Sequence, residues 1–183
     1  MTIDVDRRRR FETIAAEISD PVQRYLRRRA TADDADDAYS ETLLTIWRRL
    51  DDVPATAVLP WSYGIARRVL GNQRRSSSRR LRLVERVGSA APDQQEPGPG
   101  DTDDFPEVRD ALARLSEAEQ EVLTLWAWEE LEPREIAAVL ETTSNAVSLR
   151  LKRAKAKLAD ELARQNGTDA GHEPIETKEE HRS

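Results

Sequence analysis

The chain has no cysteine, and only two histidines, His172 and His181. Without thiols there is no disulfide framework, no zinc finger and no thiol nucleophile, as suits a reducing cytoplasm. Both histidines lie in a polar C-terminal stretch, which speaks against a histidine-dependent active site or a His-rich metal site. Aromatic residues are 5% of the 183 and hydrophobic residues 38%, so the chain makes one ordinary domain or two with small cores. No apolar run approaches the roughly 20 residues that span a bilayer. Arg7 to Arg10 imitate the basic start of a signal peptide, but Glu12 and Glu17 interrupt the segment that would follow. No metal-ligand spacing and no nucleophile–base pair is visible, so neither a cofactor nor an enzymatic activity is expected.

Charge is abundant and segregated. The net charge of −6 conceals +3 over residues 1–32, −5 over 33–52, +7 over 53–90, −12 over 91–142, +4 over 143–164 and −3 beyond. Two basic blocks separated by acid suggest two separate nucleic-acid contacts. Any single run would equally serve as a solvated helix face. Arginine outnumbers lysine 25 to 4, and guanidinium suits phosphate.

Residues 88–104 are dominated by Pro, Gly and acids and keep no apolar period, which reads as a flexible acidic linker. A second disordered segment is expected from about Gln165 to Ser183. The rest is helical in period. Phe11, Ile14, Ala15 and Ile18 begin a first helix, and Ser19-Asp20-Pro21 predicts a break or kink before Val22, Tyr25 and Leu26. A second helix covers about Asp34 to Leu50, with Ala38, Leu43, Leu44, Ile46, Trp47 and Leu50 apolar and acids in its first turn. A third starts at Pro60 or Trp61, turns Ile65, Ala66, Val69 and Leu70 inward, and leads into an arginine-rich stretch. Near Pro106 a short helix begins, and Ser116 with Glu119 forms a capping-box pattern ahead of Val122, Leu123 and Trp126.

Residues 131–158 are the most informative. A short apolar helix ends at Leu140, Glu141-Thr142-Thr143 make a turn, and a second helix starts at Ser144, its expected N-cap. Ala146, Val147, Leu151, Ala154 and Leu158 share an inner face. This is the layout of a helix-turn-helix, whose second helix enters the major groove. Ser144, Asn145, Ser148, Leu149, Lys152 and Arg153 lie early enough to meet base edges. Arg153 suits a bidentate contact to guanine, while Arg150, Lys155 and Lys157 suit phosphate.

With both halves assigned, the chain resembles a bacterial RNA polymerase sigma factor of the extracytoplasmic-function type (group IV). Residues 34–47, 59–75 and 111–158 carry the resemblance, in that order. It implies an all-α fold of two small helical domains. Residues 1–87 would be sigma region 2, 88–105 the linker, 106–164 the region 4 helix-turn-helix, and 165–183 a tail. It implies that Asp36, Asp37, Glu41, Leu44 and Trp47 grip the β′ clamp helices of core RNA polymerase, although Trp47 also reads as plain core. Arg67, Arg68, Asn72, Arg75, Arg79 and Arg80 would contact the −10 element, with the loop Asp51–Leu59 helping to hold a flipped base. Region 4 would read the −35 element and meet the β flap. An anti-sigma factor is a further implied partner, and the free protein is expected to be monomeric. The chain departs from the family at Arg68 and Asn72, where Asn and Asp are common, and at Glu132 and Glu141, where Ser or Thr and Gly are usual. The other reading is a stand-alone helix-turn-helix regulator, which explains residues 107–163 but neither the second basic block nor the acidic helix.

Overall fold

The computed structural model describes residues 2–85 and 105–169. The expected linker, Phe105 apart, and the tail from residue 170 lie outside the described residues. Among the described residues seven α-helices follow in order: α1 Thr2–Arg27, α2 Ala32–Arg48, α3 Val58–Glu85, α4 Pro106–Ala113, α5 Glu117–Ala127, α6 Pro133–Leu140 and α7 Ser144–Asp169. A 3-10 turn, Leu50–Asp52, links α2 to the loop before α3. There is no strand among the described residues. The helix α7 runs past residue 164, so residues 165–169 extend it rather than open a tail.

In the N-terminal unit α1, α2 and α3 pack on one another. Ile14, Ile18, Val22 and Leu26 recur every four residues along α1 and are all buried. That stripe passes straight through Pro21, which lies inside a single helix. The expected break therefore does not occur. The proline removes one backbone donor, but the buried face on either side holds the helix together through tertiary packing. The Ser19 hydroxyl donates to the Ala15 carbonyl and accepts from the Tyr39 hydroxyl at 2.8 Å. Thr31 caps α2 by accepting from the Asp34 amide. Ala35, Ala38, Thr42 and Ile46 turn inward, and the buried Thr42 hydroxyl donates to the Ala38 carbonyl at 2.7 Å. From α3 come Tyr63, Ile65, Ala66, Val69 and Leu70.

The C-terminal unit packs α4, α5 and α6 against α7. Val122, Leu123, Leu125, Ile136, Ala137, Val139, Val147, Leu151 and Ala154 form its core. The Glu119 carboxylate accepts from the Ser116 amide and hydroxyl at 3.0 and 2.8 Å, closing the expected capping box. Glu135 does the same for the amide of Glu132 at 2.8 Å. The expected cap of α7 is displaced by one residue. Thr143 Oγ1 accepts from the Ala146 amide, so Thr143 is the cap and Ser144 is already helical.

The two units also pack on each other, α3 against α6. Gly64 faces α6 at this crossing, with room for a methyl group and little more. A Cβ there would stand 3.6 Å from the Val139 carbonyl oxygen and 3.7 Å from its Cα. Buried residues of both units run together in one cluster.

Candidate nucleic-acid and polymerase interfaces

The first two turns of α7 form the clearest surface. Val147, Leu151 and Ala154 bury one side against α5 and α6. The opposite side presents Ser144, Asn145, Ser148, Leu149, Lys152 and Arg153, all exposed, with Arg150 half-buried. Leu149 is 48% exposed. Two expected phosphate contacts are engaged elsewhere. Lys155 Nζ lies 3.2 Å from the centroid of the Trp126 ring, a cation–π contact. Lys157 Nζ binds Glu119 at 2.6 Å and holds that carboxyl down to about 2.

The basic face of α3 is tied inward at its start. Arg67 forks onto Glu121, through Nε at 2.6 Å and NH2 at 3.2 Å, and this bond raises the guanidinium pKa. Arg68 donates to the Gly64 carbonyl and to Glu141 at 2.7 Å. Further along, Asn72, Arg75 and Arg79 are exposed, with Arg75 donating to Asn72 Oδ1 at 2.6 Å. Arg80 follows within α3. Arg74, outside the expected set, donates to the Arg29 carbonyl. Behind this face lies a knot of charge. Glu129, its side chain 2% exposed, accepts from Arg28 at 3.3 Å, Arg29 at 3.1 Å and the Tyr63 hydroxyl at 3.4 Å. Burial, then the Glu129 charge, raises the Tyr63 phenol. Burial also raises Tyr25, whose ring lies beneath Arg29 at 3.8 Å.

On α2, Asp37, Glu41 and Leu44 share an outward face, and Leu44 is 46% exposed. Asp36 sits on its shoulder, 3.6 Å from Arg27. Trp47 stands at the seam with α1, edge-on to Phe11 at 5.3 Å and with Arg7 5.3 Å from its ring. Its packing supports the core reading. Below the 3-10 turn an open cavity of about 330 Å³ is lined by Arg10, Thr13 and Ile14 of α1 and by Val53, Pro54, Ala55 and Val58. Among the described residues no group of acids or histidines could hold a metal ion. Nor is any described helix long and apolar enough to cross a membrane.

Residues 15–80 match the family described as Sigma-70 region 2, and residues 106–158 match Sigma-70, region 4. The chain belongs to the sigma-70 family. It is an alternative sigma factor, a protein that directs promoter-specific transcription initiation, and the stand-alone regulator reading falls with the region 2 match. No curated protein matches the sigma factor. Solved structures share its fold. The sigma factor RpoE in complex with the anti-sigma factor NepR from Bartonella quintana superposes with a TM-score of 0.62 at 20% identity, covering 84% of this chain and 96% of RpoE. CnrH in complex with the cytosolic domain of CnrY gives 0.55 at 24%, with coverages of 88% and 89%. The PhyRSL–NepR complex from Sphingomonas sp. Fr1 gives 0.60 at 16%, with 93% and 96%.

In this sigma factor the region 2 match falls on α1 to α3 and the region 4 match on α4 to α7. Sequence reasoning missed Glu121, Glu129 and Glu141, the region 4 acids that receive region 2 arginines. Glu121 and Glu129 had no sequence signal beyond membership of the acidic block, and Glu141 stood out only as a non-Gly residue at the turn.

Proposed function

We propose that this sigma factor is of the extracytoplasmic-function type and divides promoter recognition between its two units. Region 4 reads the −35 element with the exposed early turns of α7, where Asn145, Ser148, Leu149, Lys152 and Arg153 face the groove. Region 2 reads the −10 element with Arg67, Arg68, Asn72, Arg75, Arg79 and Arg80. The cavity beside residues 53–58 is the place for an unstacked base. The outward face of α2 takes core polymerase: Asp37 and Glu41 set register against a basic partner, Asp36 adds charge, and exposed Leu44 supplies apolar contact. Trp47 supports that face from within. Because RpoE in its solved structure is held by an anti-sigma factor, a partner of that class is proposed here too.

One observation carries the reading: α7 buries Val147, Leu151 and Ala154 and turns basic and polar residues outward over the same turns. The test is run-off transcription by core polymerase, with and without the protein, on a genomic promoter library. Protein-dependent transcripts that share paired upstream elements are expected. Arg153→Ala should weaken use of the best promoters by about 1–3 kcal/mol and relax one −35 position. Core polymerase that ignores the protein on every promoter would overturn the reading.

A further inference from the structure

Beyond Leu70, α3 leaves the core. From Asn72 to Arg79 no residue is buried, and only Gln73 is half-buried. The stretch reads Arg74-Arg75-Ser76-Ser77-Ser78-Arg79-Arg80, four cations and no acid around three serines. All three serines are exposed. The helical serines Ser19, Ser62 and Ser148 turn their hydroxyls back onto the carbonyl four residues before. The hydroxyls of Ser76, Ser77 and Ser78 make no hydrogen bond among the described residues. Serine is an indifferent helix former, and no buried side chain anchors this stretch, so it opens locally at small cost. Ser77 alone of the three has an arginine both three and two residues ahead of it, Arg74 and Arg75. An arginine-directed protein kinase reads that spacing. It holds its substrate extended, and acidic residues of its groove take the two guanidinium groups.

We propose that Ser77 is the acceptor of an arginine-directed serine kinase, and that its phosphate disables the basic stretch of α3 as a DNA contact. In the transfer, Ser77 Oγ bonds to the γ-phosphorus of a nucleoside triphosphate, the bridge to the β-phosphate breaks, and nucleoside diphosphate leaves. The hydroxyl proton passes to the kinase's carboxylate. The product carries about −2 charges at neutral pH, against the four cations of residues 74–80. Arg74 and Arg80 stand three residues before and after it, the spacing at which charges on one helix pair. Half of the charge that draws DNA to this stretch is cancelled, and ion pairs within the helix compete for the rest. The acceptor role stands by itself. The loss of DNA contact rests on the reading of Arg75, Arg79 and Arg80 as −10 contacts.

The test uses the full chain. The probe is the catalytic subunit of cyclic-AMP-dependent protein kinase with radiolabelled ATP. One phosphate per chain is expected, on the peptide that holds Ser77, and none in Ser77→Ala. A synthetic peptide of residues 70–82 serves as the unfolded reference. If the peptide is labelled and the chain is not, α3 shields the site and the proposal fails. Label that survives Ser77→Ala, or that does not fall in Arg74→Ala/Arg75→Ala, also overturns it. Phosphopeptide mapping of the chain recovered from its own cells should find the same site; a consistently unmodified peptide overturns Ser77 as a natural acceptor. The consequence is read with core polymerase. Phosphorylated protein in the holoenzyme should bind promoter DNA roughly tenfold more weakly at ~0.15 M salt, with a salt slope shallower by about 1.4, the share of two cations on single-stranded DNA. Ser77→Ala treated with the kinase should keep parental binding. Equal binding by phosphorylated and unmodified protein overturns the switch and leaves the acceptor. Arg75→Ala/Arg79→Ala then locates the fault. Undiminished binding by that variant means that the −10 reading is wrong, and weakened binding means that the phosphate does not offset those arginines.

Discussion

Glu141 ends α6 at φ 53° and ψ 47°, in the left-handed region. A side chain in that conformation costs about 1–2 kcal/mol, because Cβ crowds the following carbonyl. Glycine, usual here in the family, escapes that cost. What Glu141 brings instead is its 2.7 Å bond to Arg68, a pair in which both side chains are about half exposed or more. Such pairs contribute roughly 0–1 kcal/mol. Glu141→Ala loses the ion pair and keeps the strain, whereas Glu141→Gly loses both. Denaturant unfolding should therefore find the Gly variant more stable than the Ala variant by about 1 kcal/mol. Equal midpoints would mean that residue 141 does not hold this conformation. The departure from Gly was legible in the sequence, since the helix-turn-helix spacing puts residue 141 at the turn. That Arg68 would reach it was not. Likewise, the choice between Thr143 and Ser144 as cap turns on a single residue's backbone angles, and either side chain would serve.

The helices and their buried faces were legible because period-3.6 stripes are local. Ile65, Ala66, Val69 and Leu70 on α3 and Val147, Leu151 and Ala154 on α7 are buried as their spacing required. Pro21 misled because a proline signal is local too, whereas the stripe that carries α1 past it belongs to the packing of three helices. Leu44 shows the opposite case. It fits the apolar pattern of α2 yet stands outside, because its position on the helix, not its residue type, decides its burial. At the start of α5, pH offers a test of one element. Glu119 is held down from 4.5 to about 2, first by its bond to Lys157 and then by those from Ser116. A depressed carboxyl stabilises above its unfolded pKa and loses that contribution as pH falls through its folded one. Glu119→Gln keeps the capping-box side chain and drops the charge. The stability gap between parent and Glu119→Gln should be constant above pH 4.5 and close as pH falls toward about 2. A gap unchanged across that window would show that Lys157 does not depend on the charge.

At the scale of the whole molecule, sequence reasoning read the charge blocks as two nucleic-acid contacts. It had no means of seeing that they also fit each other. The paired residues lie between 54 and 101 positions apart, too far for any periodic signal. The +7 and −12 blocks contain Arg67, Arg68, Glu121, Glu129 and Glu141, so the complementarity was present as composition and absent as geometry. The three acids that take these arginines are not equally buried. Glu129 is 2% exposed and its arginines 12% and 15%, whereas Glu121 is 27% and Glu141 64% exposed. Removing one member of a buried pair costs about 3–5 kcal/mol, because the remaining charge stays out of water. An exposed pair costs roughly 0–1 kcal/mol. Arg28 and Arg29 would escape that penalty by returning to solvent when the units part. Glu129→Gln should therefore open the molecule rather than unfold it, leaving helical circular dichroism unchanged while the radius of gyration rises in small-angle scattering. Glu121→Gln should open it less and Glu141→Gln least. Each ~1.4 kcal/mol changes the closed-to-open ratio about tenfold, so the inner bridge alone can reverse the balance. If Glu141→Gln opens the protein as far as Glu129→Gln, burial does not set the order, and the apolar crossing at Gly64 holds the units instead.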